Sequence, residues 1–273
     1  MRRRENLYLL LMVLPALIIA AAFFLLPLGR LALVSATGKL GLGAYSAILT
    51  TPRYYHALLA TIALSAAVTA ATLLISGITG VFLQRNSFPG REALISLLTL
   101  PLAFPGVVVG FMVIMLAGRT GLIADVTAAL TGERLVFAYS MAGLFTGYIY
   151  FSIPRVILTI MAATEKLDPA LEEAARSLGA RPSRVVRDVI LPGLQPALIA
   201  SASLCFATSM GAFGTAFTLA TNIDVLPIVI YTEFTLLANI TTAAALSIVL
   251  GLITWATLAA SRGLAGTTVA AGG

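Results

Sequence analysis

Charged residues are scarce in this chain. Asp, Glu, Lys and Arg make up 10% of the 273 residues, against about 25% in typical soluble proteins. Apolar residues make up 59%, and the mean hydropathy is +1.01. This composition excludes an ordinary soluble domain and indicates membrane-spanning helices. The net charge of +6 does not indicate nucleic acid binding, because most basic residues flank apolar segments, where they set membrane topology.

Residues suited to catalysis or metal binding are equally scarce. The chain has one His and one Cys, which excludes an internal disulfide and the common zinc sites. Its two lysines, Lys39 and Lys166, lie outside any P-loop motif, and no Ser lies in a G-x-S-x-G hydrolase motif. We therefore predict no catalytic site, no metal and no cofactor. His56 is interpreted as an interfacial side chain in preference to a ligand or proton relay.

Six apolar runs are long enough to cross a bilayer. The first has about 22 residues, or about 33 Å as a helix, which is too long for a signal peptide. Segments 29–56 and 119–134 are predicted as external loops. Pro101, Pro105 and Gly106 interrupt the third run, so we expect a kinked helix there. The six predicted spans are residues 7–28, 57–83, 93–117, 135–163, 193–220 and 234–260.

A polar stretch at residues 164–196 separates the fourth and fifth runs and concentrates much of the chain's charge. Asp168 followed by Pro169 predicts a helix start, and Gly179 predicts a left-handed stop. Pro182 can open a second short helix, which Leu191-Pro192 is expected to end. The pattern predicts a compact helical hairpin with charged faces. An amphipathic hairpin without any partner is the alternative interpretation.

The spacing in this stretch resembles the EAA loop of type I ABC importer permeases. The matching residues are Glu173-Ala174-Ala175, Gly179-Ala180, Val189, Leu191-Pro192 and Pro196. In that family the loop is cytoplasmic and places a coupling helix in a cleft of the ATP-hydrolysing subunit. The resemblance implies an all-α membrane protein of about six transmembrane helices with a cytoplasmic coupling hairpin. The residues that it assigns to ATPase coupling are Glu172, Glu173, Ala174, Ala175, Gly179, Ala180, Arg184, Leu191 and Pro192.

The resemblance also implies partners and a domain organisation. The expected partners are an ATP-binding subunit dimer that hydrolyses ATP, a second and different permease subunit, a periplasmic or lipoprotein solute-binding protein and membrane lipid, with no nucleic acid. Residues 1–53 are predicted as the N-terminal segment, first span and external loop, 54–262 as the conserved permease domain, and 263–273 as a tail.

Charge distribution predicts an inner-membrane protein with both termini in the cytoplasm. Twelve basic residues fall on the side assigned to the cytoplasm and five on the outside. Arg155 is counted with the first group, close to the cytoplasmic end of the fourth span, where it is expected to reach lipid headgroups. The five outside residues are Arg30, Lys39, Arg53, Arg119 and Arg134.

Substrate is predicted from similarity within the family. GAFGTAFTLATNIDVLPIVIYTEF and LPLAFPGVVVG look most similar to the spermidine/putrescine branch, with the iron(III), thiamine, phosphonate and sulfate branches as alternatives. Asp224 and Glu233 are predicted to form an external acidic mouth, or else to be solvated loop charges. The predicted gate or pathway, with helix packing as its alternative, is Ser209, Gly211, Phe213, Gly214 and Thr215.

Two other classes of membrane protein compete with this interpretation. A carrier driven by an ion gradient usually needs a carboxylate near the centre of a span, and no predicted span has one. A membrane enzyme would need a catalytic cluster, which the sequence does not offer. The Glu173 to Pro192 spacing favours the ABC importer permease over both.

Overall fold

The computed structural model describes residues 12–38, 41–219 and 223–265, which contain helices and no strand. The basic N-terminus, the predicted start of the first span at Leu7 and the tail beyond Ala265 lie outside these ranges. The helices of the described residues are α1 Met12–Thr37, α2 Gly43–Thr50, α3 Pro52–Arg85, α4 Arg91–Thr99, α5 Gly106–Ala117, α6 Leu122–Thr131, α7 Met141–Glu165, α8 Pro169–Ser177, α9 Pro182–Met210, α10 Phe213–Leu219, α11 Leu226–Leu236 and α12 Ile240–Ala265.

Six helical segments in the described part of the chain are long and apolar enough to cross a membrane. They are α1, α3, α5 with α6, α7, α9 and α12. The predicted all-α fold with six spans is therefore confirmed. Many of their side chains remain exposed, including Phe23 in α1, which suits helices that face lipid.

Both predicted external loops are wrong in detail, because they contain helices. Within 29–56, α1 continues to Thr37, α2 forms at Gly43–Thr50, and α3 already begins at Pro52. Proline is favoured at the first helical position, so Pro52 starts a helix where loop was expected. The turn between α1 and α2 has a left-handed Gly41.

The second predicted loop, 119–134, contains α6. Apolar side chains recur every four residues at Leu122, Val126 and Leu130, a spacing that predicts one face of a helix. The charged residues at both ends of the segment led to its interpretation as a loop. Gly132 ends α6 in a left-handed conformation, with its N–H donating to the carbonyl of Ala128. The apolar run was therefore long enough for a helix but too short to be recognised as a span.

The third run is interrupted as predicted, but the break separates two helices and does not merely kink one, so the span begins at Gly106 and continues to Thr131 in place of the predicted 93–117. α4 ends at Thr99, a 3-10 turn occupies Leu100–Ala103, and Pro105 stands in extended conformation immediately before α5. A further break separates Met210 from Phe213, so the fifth span ends ten residues earlier than predicted. Near the sixth span, α11 ends before a turn with Ala238 at φ 52°, and the long helix begins at Ile240.

The chain divides into two compact units, residues 1–55 with 229–251 and residues 56–228 with 252–273. In the first unit, the buried Ser35 hydroxyl is 2.7 Å from the hydroxyl of Tyr45, which joins α1 to α2. In the second unit, a continuous core includes Leu144 and Tyr148 of α7 and Leu194 of α9. This core also takes in Val185 and Ile190, so the second half of the hairpin is anchored in it.

Candidate functional site: the helical hairpin

Asp168 begins α8, the first helix of the hairpin. Its carboxylate accepts a hydrogen bond of 2.9 Å from the backbone N–H of Ala170, and Pro169 takes the first helical position. The carboxylate satisfies a donor that the helix leaves free, and proline has no N–H to satisfy. The helix start predicted from Asp168-Pro169 is confirmed.

Gly179 ends α8 with φ +80°, as predicted. The Gly179 N–H donates to the carbonyl of Arg176 at 2.9 Å, and the Ala180 N–H donates to that of Ala175 at 3.0 Å. These two bonds form a Schellman motif, which needs a left-handed residue where glycine has no steric penalty. The turn of the hairpin is therefore fixed by a backbone conformation that favours glycine.

Glu172 points into the protein and fastens the hairpin to the end of α3. Its side-chain Oε1 lies 2.7 Å from Nη2 of Arg85, and its Oε2 lies 3.5 Å from Nη2 of Arg176. Arg85 also donates to the carbonyl of Leu167 at 3.2 Å. A buried carboxylate needs such partners to remain ionised. Sequence reasoning missed this pair, since it used Arg85 only as a topological charge.

The opposite face of α8 is exposed. Glu173 and Ala174 lie at the surface, and the apolar side chains of Leu171 and Leu178 are 58% and 89% exposed. Ala175 is half-buried against the core. The Glu-Ala-Ala triplet thus divides between an outward pair and an inward alanine, which leaves a carboxylate and two leucines facing away from the protein.

The second half of the hairpin differs from the prediction. Pro182 does start a helix, but Leu191-Pro192 does not end it, because α9 runs on to Met210. A π turn at Val186–Ile190 precedes Pro192, and the Leu191 N–H donates to the carbonyl of Val186. This wider turn changes the hydrogen-bond register beside the proline and lets the helix continue. The second half of the hairpin and the fifth span are therefore one helix.

Two grooves lie on the hairpin surface. The larger, of about 410 Å³, is lined by Gly179, Arg181, Ser183, Arg184 and Arg187. The smaller, of about 230 Å³, is lined by Ala175, Leu178, Ala180, Arg184, Asp188 and Val189. Arg184 borders both grooves, which brings it together with three other residues assigned to coupling by the sequence, Ala175, Gly179 and Ala180. Leu191 and Pro192 lie further along α9 and line neither. The surface combines guanidinium groups with apolar side chains and can receive an acidic partner that has an apolar centre.

The predicted gate segment lies at the break between α9 and α10. The hydroxyl of Tyr148 donates to the carbonyl of Ala212 at 2.7 Å, and the hydroxyl of Thr215 donates to that of Gly106 at 2.9 Å. Gly106 is the first residue of α5 and Ala212 immediately precedes α10, so each bond joins the start of one helix to a side chain of another. Ser209 and Thr215 are buried. Thr215 therefore joins two helices through its hydroxyl, whereas the Ser209 hydroxyl oxygen is buried without a hydrogen-bond partner among the described residues.

Glycines allow these helices to approach closely. A Cβ on Gly110 would lie 2.6 Å from Cβ of Thr218, and one on Gly147 would lie 2.8 Å from Cγ2 of Thr215. Gly214 lies in the same contact, against Val107 of α5. Gly211 and Phe213 are exposed instead. Small residues in α5 and α7 therefore allow close contact between helices.

The acidic-mouth prediction is wrong for Glu233, whose side chain is 2% exposed. Its Oε1 lies 3.9 Å from Nη1 of Arg53, and its Oε2 accepts a 3.0 Å hydrogen bond from the side-chain amide of Asn239. A carboxylate with these partners stabilises the turn before α12 and is closed to solvent. Asp224 is exposed.

Arg155 occupies a different place from the one predicted. α7 continues ten residues beyond it, to Glu165, so Arg155 lies about 15 Å from the hairpin end of the helix. Its guanidinium carbon lies 5.6 Å from the ring centre of Phe151, one turn back along α7. The side chain therefore points away from the hairpin end. The sequence interpretation counted Arg155 as close to the end of the span, although the predicted span itself continued to Ala163.

No group of three or more potential metal ligands occurs within the described residues. The arrangement offers instead a binding surface on the hairpin, helices that join this surface to the fifth span, and polar side chains at depth. These features suit a protein that transmits motion and binds partners.

Comparison with known proteins assigns the chain to a family. Residues 73–265 match the family described as "Binding-protein-dependent transport system inner membrane component". The chain belongs to this family of ABC importer permeases. The permease is a multi-pass membrane protein, and its relatives are permease subunits of ABC transporters.

Its sequence relatives differ in the substrates that their names give. A Salmonella typhimurium protein named as a 2-aminoethylphosphonate transport system permease is 32% identical over 266 residues, covering 93% of each chain. The Escherichia coli molybdenum transport system permease is 38% identical over 64% of this chain and 76% of its own. The Salmonella typhimurium sulfate transport system permease is 34% identical over 76% and 73%.

Solved structures share the fold at low sequence identity. A chain of a bacterial alginate ABC transporter, crystallised in complex with a periplasmic protein bound to an alginate pentasaccharide, superposes with a TM-score of 0.80 at 17% identity, covering 96% of the permease and 94% of that chain. The MetNI methionine ABC transporter in an inward-facing conformation gives 0.57 at 15% identity, covering 77% and 94%. These likenesses support the type I importer fold.

Proposed function

We propose that the permease imports a small oxyanion and is driven by an ATPase that docks on the hairpin. The ATPase contact is formed by the outward face of α8 and the two grooves beside it. Glu173, Leu178 and Arg184 make direct contact, whereas Glu172 and Gly179 hold the shape of the hairpin. α9 then carries displacement of the hairpin into the membrane.

The observation that carries the coupling role is the exposed apolar face of a rigidly held helix. Leu171 and Leu178 project from α8, while Glu172 on the other side is tied to Arg85. Two exposed leucines on a polar hairpin are a docking feature when arginines surround them. The hairpin is held firmly enough to transmit force, since both α8 and α9 contribute residues to the core of their unit.

The oxyanion class is supported by the relatives and by charge. The curated relatives described above are named for 2-aminoethylphosphonate, molybdenum and sulfate. Arg155 adds a cation at depth in α7, and among the described residues no carboxylate forms an ion pair with it. An unpaired arginine favours anionic over cationic cargo.

The polyamine prediction has no comparable support. It relied partly on Glu233 as an open external carboxylate, and Glu233 is buried beside Arg53. A polyamine needs accessible carboxylates for its ammonium groups. We therefore place spermidine and putrescine below phosphonate, sulfate and molybdate as candidate cargo.

The proposal includes the assembly and its orientation. Two permease subunits, this chain and a different second one, stand on an ATPase dimer and accept cargo from a periplasmic or lipoprotein solute-binding protein. The hairpin and both termini face the cytoplasm. The direct contact between Arg85 and Glu172 supports the arrangement, since it joins the end of the second span to the hairpin.

Reconstitution tests the proposed function. The permease, its second subunit and the ATPase are placed in liposomes containing ATP, and the solute-binding protein is added outside. Labelled 2-aminoethylphosphonate, sulfate, molybdate and putrescine are compared as cargo. We expect ATP-dependent uptake of at least one oxyanion and none of putrescine. Uptake of putrescine alone would overturn the substrate class, and uptake without the ATPase would overturn the coupling mechanism.

A further inference from the structure

The space between α7 and α9 contains polar groups that the coupling mechanism does not use. Arg155 shares a small cavity with the hydroxyl-bearing residues Ser152, Thr159, Ser201 and Thr208. Ser152 and Ser201 are 3% and 4% exposed, and neither hydroxyl oxygen has a hydrogen-bond partner among the described residues. Buried hydroxyls without a partner are unfavourable, so their presence together requires an explanation.

The guanidinium of Arg155 is directed toward the middle of α7. It leans over Phe151, which directs it away from the nearer end of α7 and deeper into the span. Within the described residues no carboxylate pairs with it. A charged side chain at this depth is costly and is generally a mark of a substrate pathway.

The other two hydroxyls are already satisfied. Thr159 donates to the carbonyl of Arg155 at 2.9 Å, and Thr208 donates to that of Leu204 at 2.8 Å. The groups left available are therefore the guanidinium and the hydroxyls of Ser152 and Ser201. All three can donate to the oxygen atoms of one tetrahedral anion, and the planar guanidinium suits such an oxyanion because it offers paired donors.

We propose that Arg155, Ser152 and Ser201 form a transient binding site for the transported oxyanion, reached when α7 and α9 separate. The cavity now measures about 10 Å³, which is space for about one water molecule, so this conformation is closed. α7 leads into the hairpin and α9 leads out of it. Movement of the hairpin therefore acts on both walls of the site. This inference rests on the proposed import of an oxyanion and names the residues that bind it.

The test uses the reconstituted importer with four variants. Arg155→Gln removes the positive charge. Arg155→Lys keeps the charge but loses the planar guanidinium and its paired hydrogen-bond donors. Ser201→Ala removes one of the two hydroxyls that have no partner. Ser203→Ala is the matched control, because Ser203 lies in the same helix, is buried, and already donates to the carbonyl of Ile199 at 2.9 Å. Copurified ATPase is measured for each variant, so that assembly is known before uptake is compared.

We expect Arg155→Gln to lower oxyanion uptake about tenfold or more and Ser201→Ala about threefold, as expected for lost hydrogen bonds to a charged group. Ser203→Ala should stay within about twofold of the wild type. Arg155→Lys should change the ratio of sulfate to 2-aminoethylphosphonate uptake, which a loss of folding alone would not do. If Arg155→Gln fails to assemble, Arg155→Lys and Ser201→Ala decide the question.

Three outcomes would overturn the site. Wild-type uptake of an oxyanion with unchanged rates and ratios in Arg155→Lys and Ser201→Ala would remove the site and leave the proposed function standing. Uptake of putrescine alone by the wild type would overturn both the binding site and the proposed function. Loss of uptake by Arg155→Gln only in liposomes containing phosphatidylglycerol, and not in phosphatidylcholine alone, would assign the guanidinium to a lipid phosphate.

Discussion

At the scale of single residues, the hairpin depends on one buried carboxylate and one left-handed glycine. Asp168 and Gly179 were predictable, because a helix cap and a helix stop are local features of sequence. The partner of Glu172 was not, since Arg85 lies 87 positions earlier and meets it only in the folded chain. Arg155 was misplaced because its charge was assigned to the end of the fourth span, although the helix continues ten residues beyond it.

Arg85→Ala should weaken the attachment of the hairpin. It leaves Glu172 buried without its principal partner, at an expected cost of about 2–4 kcal/mol, below that of a completely buried pair because Arg85 is 22% exposed. Thermal unfolding and limited proteolysis of the hairpin would measure the effect. Arg134→Ala is the control, since its pair with Asp125 is exposed on both sides and should contribute about 0–1 kcal/mol. Equal effects of the two variants would contradict this account.

Gly179→Ala should destabilise the hairpin by about 1–2 kcal/mol, because alanine is strained at φ +80°. A Cβ there would meet nothing within 4 Å, so backbone conformation is the whole cause. Gly179→Asn should be milder, since asparagine tolerates the left-handed region. Gly251→Ala serves as control in the unfolding measurement, as it lies in a helix with open space around it. A hairpin that unfolds at the same temperature in all three variants would refute the prediction.

At the scale of helices, the sequence predicted the spans but not their ends. Hydropathy detects twenty consecutive apolar residues reliably, whereas Pro192 did not stop α9 because a π turn precedes it. The sequence did not predict which residues make the contacts between helices. Glycines in α5 and α7 permit close approach of helices, yet nothing in the sequence named Thr215 as the residue against Gly147.

Gly147→Ala should disrupt the contact of α7 with α10. Its Cβ would lie 2.8 Å from Cγ2 of Thr215, and overpacking of this kind costs about 1–3 kcal/mol. Thr215→Ser removes that methyl group but keeps the hydroxyl that donates to Gly106, so the double variant should recover most of the loss in thermal stability. Gly77→Ala, with nothing within 4 Å, should be neutral. Failure of Thr215→Ser to rescue would show that the clash lies elsewhere.

Glu173→Lys should uncouple transport while leaving the permease folded. Glu173 is exposed on the outward face of α8, so reversing its charge alters the proposed ATPase contact and no internal one. We expect ATP-dependent uptake to fall by about tenfold or more with thermal stability unchanged. Glu165→Lys makes the same charge change at an exposed position just before the hairpin and should retain uptake. Normal uptake by Glu173→Lys would remove this face from the mechanism.

At the scale of the whole molecule, composition predicted the class of protein, and charge is the basis of the orientation, which stays a prediction. Both depend on sums over many residues, so the misplaced helix ends did not affect them. Substrate class was not predictable in the same way, because it depends on a few side chains whose burial appears only in the fold. Glu233 counted as an external charge in the sequence and is an internal one in the structure.

Labelling with a membrane-impermeant maleimide should establish the orientation. Cys205 is buried, so the native chain is a low-background host for added cysteines. Ser177→Cys, on the exposed part of the hairpin, should react only after the cells are permeabilised. Thr131→Cys, at the end of α6, should react in intact cells. The reverse pattern would place the hairpin outside and end the proposal that an ATPase docks on it.

The continuity of α9 limits how this sequence can diverge. Each residue advances an α-helix by about 100°, so one insertion anywhere between Pro182 and Ser201 would turn the free hydroxyl away from Arg155. We expect α9 to tolerate most substitutions along its length but not insertions or deletions. Homologous importers should therefore confine their gaps to the turns at either side of α8, and an alignment that required a gap within α9 would identify a permease with different cargo chemistry.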